Sequence, residues 1–183
     1  MIYFIIFLSF FLNVGCLDKN IIKNDSDILW PNCSYNLGDH ACNFSLLDQK
    51  EEYISLYDFY ERPIVLDFST GWCGFCGIAA KEAQSVQDKY ASYGLIYITV
   101  MIEDHKGRSP DSEFCEDWAQ AFNILSAPVL AGSNKMISDN PDNGWEVTAY
   151  PTFFLIDRDM IIRNEIIGFS PQMLDDYIQN IIH

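Results

Sequence analysis

Two runs of nearly uninterrupted apolar and β-prone residues, "IVLDFST" at 64–70 and "LIYITVMI" at 95–102, bracket a helical pattern from Cys73 to about Tyr90. Strands without polar alternation are buried on both faces. Between them Ile78, Ala79, Ala83, Val86 and Tyr90 recur on or near one helical face. Strand, helix and strand in so short a span predict a right-handed crossover and a parallel pair. Such sheets gather their chemistry at the carboxyl ends of the strands. The first strand ends in "GWCGFC", residues 71–76.

The rest of the chain supplies further elements around this unit. "FSLLDQKEEYISL" has two short apolar stretches about a charged turn and predicts a hairpin. "DSEFCEDWAQAFNI" predicts a helix with Phe114, Trp118, Ala121 and Phe122 inward. "AGSNKMISDNPDNG" is rich in turn formers. "TFFLID" and "IIRNEIIG" pair as a hairpin across Arg158-Asp159, and the last helix opens with Ser170 as N-cap and Pro171 in its first turn.

Twenty-six acidic residues against 11 basic ones give a formal net charge of −15, with no charged side chain in residues 1–15. Phosphate binding needs clustered Lys and Arg, so nucleic acid is excluded as a partner. The opening "MIYFIIFLSFFLNVGC" suits a signal-peptide core at residues 1–15. Gly15-Cys16 resembles a bacterial lipoprotein signal, in which Cys16 is lipidated and becomes the new N-terminus; cleaved secretion and an uncleaved anchor are the alternatives. Residues 16–42 then read as a tether and N-terminal extension. The domain is expected outside the cytoplasm, on the periplasmic or extracytoplasmic face of a membrane that holds it by lipid or anchor.

Export permits disulfides among the six cysteines at 16, 33, 42, 73, 76 and 115. Cys33 and Cys42 are candidates for a local structural disulfide. Cys115 is an alternative partner for either, and spacing alone leaves the pairing open.

Cys73 and Cys76 carry the chemistry. At a helix N-terminus, unsatisfied N–H groups and the positive end of the dipole favour a thiolate, the form that attacks disulfides. A spacing of two residues lets Cys76, one turn further in, reach back to Cys73 and close a ring. Asp67, in a buried strand, has a carboxylate that desolvation would raise in pKa, fitting it to relay a proton to or from Cys76.

"VLDFSTGWCGFC" resembles the active-site strand and helix start of the thioredoxin superfamily, and "YPTFFLID" resembles its second signature. With the lead-in "NFSLLDQKEEYISLYDFYERP", the resemblance to exported thioredoxin-like and redoxin thiol:disulfide oxidoreductases covers about residues 43–183. It implies a thioredoxin fold, a central mixed α/β sheet flanked by helices, extended here by the N-terminal hairpin. It also implies Cys73 as nucleophile, Cys76 as resolving thiol and Trp72 as the flanking aromatic. Pro151 matches the family's cis-proline, which would leave the Tyr150 backbone free to pair with substrate, and Asp67 matches its buried aspartate. The implied partners are cysteine-containing exported proteins and an upstream redox donor or acceptor, with no cofactor.

Phe75 stands where a proline is common, and Lys81 where thioredoxins often have a helix-kinking proline. Thr70 and Cys73 also satisfy the T-x-x-C half of a thiol-peroxidase pattern, although Leu66 replaces its proline. A redoxin-type peroxidase and a non-catalytic binding or metal-delivery module are the alternative functions. His40, His105 and His183 are scattered, so no zinc pair accompanies the cysteines and no metal is expected.

Overall fold

The computed structural model describes residues 30–183, so the leader at 1–15 and Cys16 lie outside the described residues. A hairpin, β1 (Ser45–Leu47) and β2 (Tyr53–Ser55), comes first. It leads into β3 (Ile64–Thr70), α1 (Gly74–Lys89), β4 (Ile96–Glu103), α2 (Ser112–Ala121) and β5 (Val129–Ala131). Two-residue strands β6 (Ile137–Ser138) and β7 (Trp145–Glu146) precede β8 (Thr152–Ile156), β9 (Ile162–Ile167) and α3 (Pro171–Ile181). No helix among the described residues is long and apolar enough to cross a membrane.

Five strands form one mixed sheet in the order β5-β4-β3-β8-β9. β3 pairs in parallel with β4 and β4 with β5, whereas β8 is antiparallel to both β3 and β9. All seven residues of β3 are buried, as its unbroken apolar run requires of a central strand. The hairpin, the parallel crossover and the mixed sheet match the sequence-based expectations for the fold.

Strand alternation divides the interior into two cores. Val65, Tyr97, Val129, Phe153 and Leu155 face α1, α2 and α3. Ile64, Leu66, Phe68, Ile98 and Ile156 face the opposite way, onto Ala41, Leu56, Tyr57, Trp145 and Val147. Helices α1, α2 and α3 thus cover one face, and irregular segments with a short 3-10 turn, Leu56–Phe59, cover the other.

Residues 30–42 belong to that cover. Cys33 and Cys42 are disulfide-bonded there, which leaves Cys115 a free, buried thiol. Ala41 is fully buried, and its carbonyl accepts a hydrogen bond from the Tyr57 hydroxyl at 2.9 Å. This stretch reaches one edge of the sheet, and the turn between β1 and β2 reaches the other. Gly38 N–H donates to the Ile162 carbonyl and Ile162 N–H to that of Asp39 at one edge. At the other, the Gln49 side chain pairs with the Val129 N–H and the Ala127 carbonyl, and Asp48 bridges to Leu130.

Two helix faces differ from the periodic reading. Ile78 on α1 and Ala121 on α2 are exposed, while Cys76 and Ala80, and Cys115 and Ala119, are buried in their helices. Neither Ile78 nor Ala121 belongs to the core that α1 and α2 bury.

Candidate active site

The turn after β3 carries the cysteine pair, and its path depends on Gly71. A Cβ at that position would lie 2.8 Å from the His105 backbone nitrogen and 2.9 Å from the Asp104 carbonyl carbon. Backbone atoms cannot step aside, so only glycine lets the loop after β4 lie against the active turn. His105 Nδ1 sits 2.6 Å from the Gly71 carbonyl and fastens the two together.

Cys73 is the N-cap of α1, and its sulfur accepts a hydrogen bond from the Cys76 N–H at 3.2 Å. The cap thereby holds the sulfur at the open end of the helix, among donors that favour negative charge. Its thiol also faces the Tyr150 carbonyl at 3.4 Å, and the Tyr150–Pro151 bond is cis. Cys73 is half-buried and Cys76 fully buried, both as free thiols. Burial pushes the Cys76 thiol far above its ordinary pKa, and the hydrogen bond with Cys73 and the charge of Asp67 add to this.

Asp67 points to the helix side of the sheet, the side that buries Cys76, because alternation puts it with Val65. It is 1% exposed, and burial raises its carboxyl to about 7 against the opposing effect of two hydrogen bonds. Ser69 Oγ donates to one carboxylate oxygen at 2.7 Å and the Tyr97 hydroxyl to the other at 3.1 Å. Tyr97 is itself held un-ionised, first by burial and then by the charge of Asp67.

Trp72 is exposed, with its ring edge-on to Tyr150 at 5.8 Å and its Nε1–H donating to Glu103 Oε2 at 2.7 Å. Glu103 also accepts from Asn134 Nδ2 at 2.8 Å. Burial raises the Tyr150 hydroxyl to about 12, with the charges of Glu103 and Cys76 adding to this.

The structure thus brings together Asp67, Trp72, Cys73, Cys76, Tyr150 and Pro151, and leaves Cys33 and Cys42 in the cover of the opposite face. Ser69, Tyr97, Glu103 and His105 were not singled out from the sequence. Period-two alternation could have found Ser69, which shares a strand face with Asp67. Tyr97 follows from strand register, because Asp67 pairs with Thr99 and Tyr97 lies two residues before it on the same face.

Ser69 and Tyr97 set the carboxylate, which yields a testable expectation. Each hydrogen bond to the charged form lowers the pKa, so Ser69→Ala should move the titration of Asp67 upward by roughly one pH unit. Ser69→Thr keeps the hydroxyl and should hold it in place. Carbon-13 NMR of the Asp67 carboxyl measures both, and an identical midpoint in Ser69→Ala would refute the role.

A sulfur on a helix cap, a second sulfur behind it and a buried acid in the central strand stand together on a mixed sheet of thioredoxin fold. A model of the AhpC/TSA family matches residues 37–165. The chain belongs to the AhpC/TSA family. It is 24% identical over 147 residues to the thiol-disulfide oxidoreductase ResA of Bacillus cereus, an alignment spanning 79% of this chain and 78% of that protein. Among solved structures it resembles a putative thiol:disulfide interchange protein DsbE from Chlorobium tepidum, with TM-score 0.64 and 22% identity over 82% of this chain and all of that one. It also resembles the exposed lipoprotein thioredoxin of Streptococcus pneumoniae, with TM-score 0.59 and 22% identity over 76% of this chain and 99% of that one.

Proposed function

We propose that this enzyme, a thiol:disulfide oxidoreductase, exchanges disulfides through Cys73 and Cys76. The carrying observation is the placement of the Cys73 sulfur, capped by the Cys76 N–H and half-open to solvent, with Cys76 sealed behind it. The Cys73 thiolate attacks a substrate disulfide, forms a mixed disulfide and releases one substrate thiol. Cys76, giving its proton to Asp67, then attacks the Cys73 sulfur and releases the second. Two electrons pass from the pair to the substrate, and the reverse sequence oxidises a dithiol.

Trp72, Phe75 and Ile78 are all exposed around Cys73, and such an apolar collar supports a protein as substrate. Tyr150, held by the cis bond to Pro151, offers backbone to an extended segment of it. The substrates are cysteine pairs in other exported proteins, with a separate redox partner restoring the enzyme. The domain works outside the cytoplasm, tethered through Cys16. The apolar leader supports this, as does the Cys33–Cys42 disulfide, a feature of oxidising compartments. So does the likeness to an exposed lipoprotein thioredoxin.

Insulin reduction tests the assignment. The reduced chain should precipitate the insulin B chain while the peptide bearing Cys73 and Cys76 loses two hydrogens by mass spectrometry. If both sulfurs stay thiols with insulin and with a small disulfide, the assignment is lost. Consumption of peroxide that needs Cys73 but not Cys76 would move it to a thiol peroxidase.

A further inference from the structure

Cys73 has two flanks. One meets the Tyr150 carbonyl. The other opens into a groove of about 420 Å³ between the first turn of α1 and α2. Gly74, Gly77, Phe114, Trp118 and Phe122 line it, so its walls are aromatic or lack side chains. A Cβ on Gly77 would come within 3.3 Å of Phe122, so the glycine keeps this wall flush. The space suits one apolar side chain reaching in from a segment that crosses Cys73.

The rim is charged on one side. Asp117 borders the groove, and an adjoining cavity that shares Phe114 and Asp117 adds Asp111 and Glu113. Arg108, the cation lining that adjoining cavity, is already paired with Asp104 at 2.6 Å. His105 completes the titratable lining. A carbonyl can only accept, so its Nδ1–H donates to Gly71. The apolar wall favours an apolar group, and the acidic rim favours a cationic neighbour to it.

We propose that this groove selects the substrate: it takes an apolar side chain next to the reactive cysteine of an extended protein segment, while a Lys or Arg further along faces Asp117. This rests on the exchange chemistry assigned to Cys73. In that step a sulfur–sulfur bond forms between Cys73 and the segment's cysteine, the substrate disulfide breaks, and its other cysteine leaves as the thiol.

The test uses disulfide-linked homodimers of four short peptides, with Phe or Gly beside the cysteine and Lys or Glu three residues on. Stopped-flow tryptophan fluorescence of the reduced full chain follows each reaction. The Phe/Lys peptide should react roughly tenfold or more faster than the Gly/Glu peptide. Ala121→Trp, which fills the groove from an exposed position on α2, should erase the preference for Phe. Asp117→Lys should reverse the preference for Lys. Equal rates on all four peptides, each oxidising Cys73, overturn the groove while the exchange chemistry stands. A Lys preference that survives Asp117→Lys reports only the overall charge of −15 and overturns the rim. If Cys73 reacts with none of the peptides and no small disulfide, the exchange reading falls, and this one with it.

Discussion

Cys73→Ser should abolish disulfide exchange, by at least roughly a thousandfold, because no other free sulfur among the described residues can take over. Cys76 is fully buried, and its thiol is pushed far up by that burial. Cys115 is equally buried, and burial, followed by the charges of Asp111 and Asp48, raises it to about 12. Both are therefore protonated and inaccessible at neutral pH. Cys76→Ser should behave differently. Its Cys73 remains on the helix cap, so attack proceeds and resolution fails. A mixed disulfide between Cys73 and the substrate should accumulate, visible as one added substrate chain by mass spectrometry. Turnover by Cys73→Ser above the uncatalysed rate would remove Cys73 from the role of nucleophile.

Asp67→Asn should separate activity from stability. In the resolving step Cys76 must lose a proton, and Asp67, ionised above about 7, is the buried base beside it. Without it the step should slow roughly a hundredfold or more at neutral pH. The wild-type rate should rise through an inflection near 7, and the variant should lose that inflection. Stopped-flow measurement of mixed-disulfide resolution against pH checks both.

Stability should move the other way. The carboxyl rises from 3.8 in the unfolded chain to about 7 in the folded one, so between these values the folded state holds more protons. Its contribution is greatest below 3.8 and is lost as pH rises through about 7. At pH 8 the wild type therefore carries a desolvated carboxylate that the variant lacks. Asp67→Asn should be more stable there, by on the order of a few kcal/mol, and the advantage should vanish near pH 4. Urea unfolding at the two pH values measures the difference. A variant less stable at pH 8 than the wild type would contradict the burial argument.

Much of this arrangement is legible in the sequence because local physics and the sheet agree there. An apolar run around one acid could only be a central strand, and the cysteine after it could only open the following helix. Ser69 and Tyr97 were harder to see, because their role appears when strand register brings them to Asp67. Ile78 and Ala121 misled the periodic reading: helical spacing identifies an apolar stripe but not where the covering layer stops. The cover of the opposite face, from Ala41, Leu56, Tyr57, Trp145 and Val147, lies largely in irregular segments with no period to read.

Residues 38–39 at Ile162 and the β1–β2 turn at Val129 also act as insulation. An open strand edge is a template on which a neighbour's backbone can add itself. Here residues 38–39 occupy part of one edge and Gln49 part of the other, so little free backbone is left there for another chain to zip onto. At Gly38 and Asp39, part of the stretch that composition alone reads as a leash thus helps keep a sixth strand from joining the sheet.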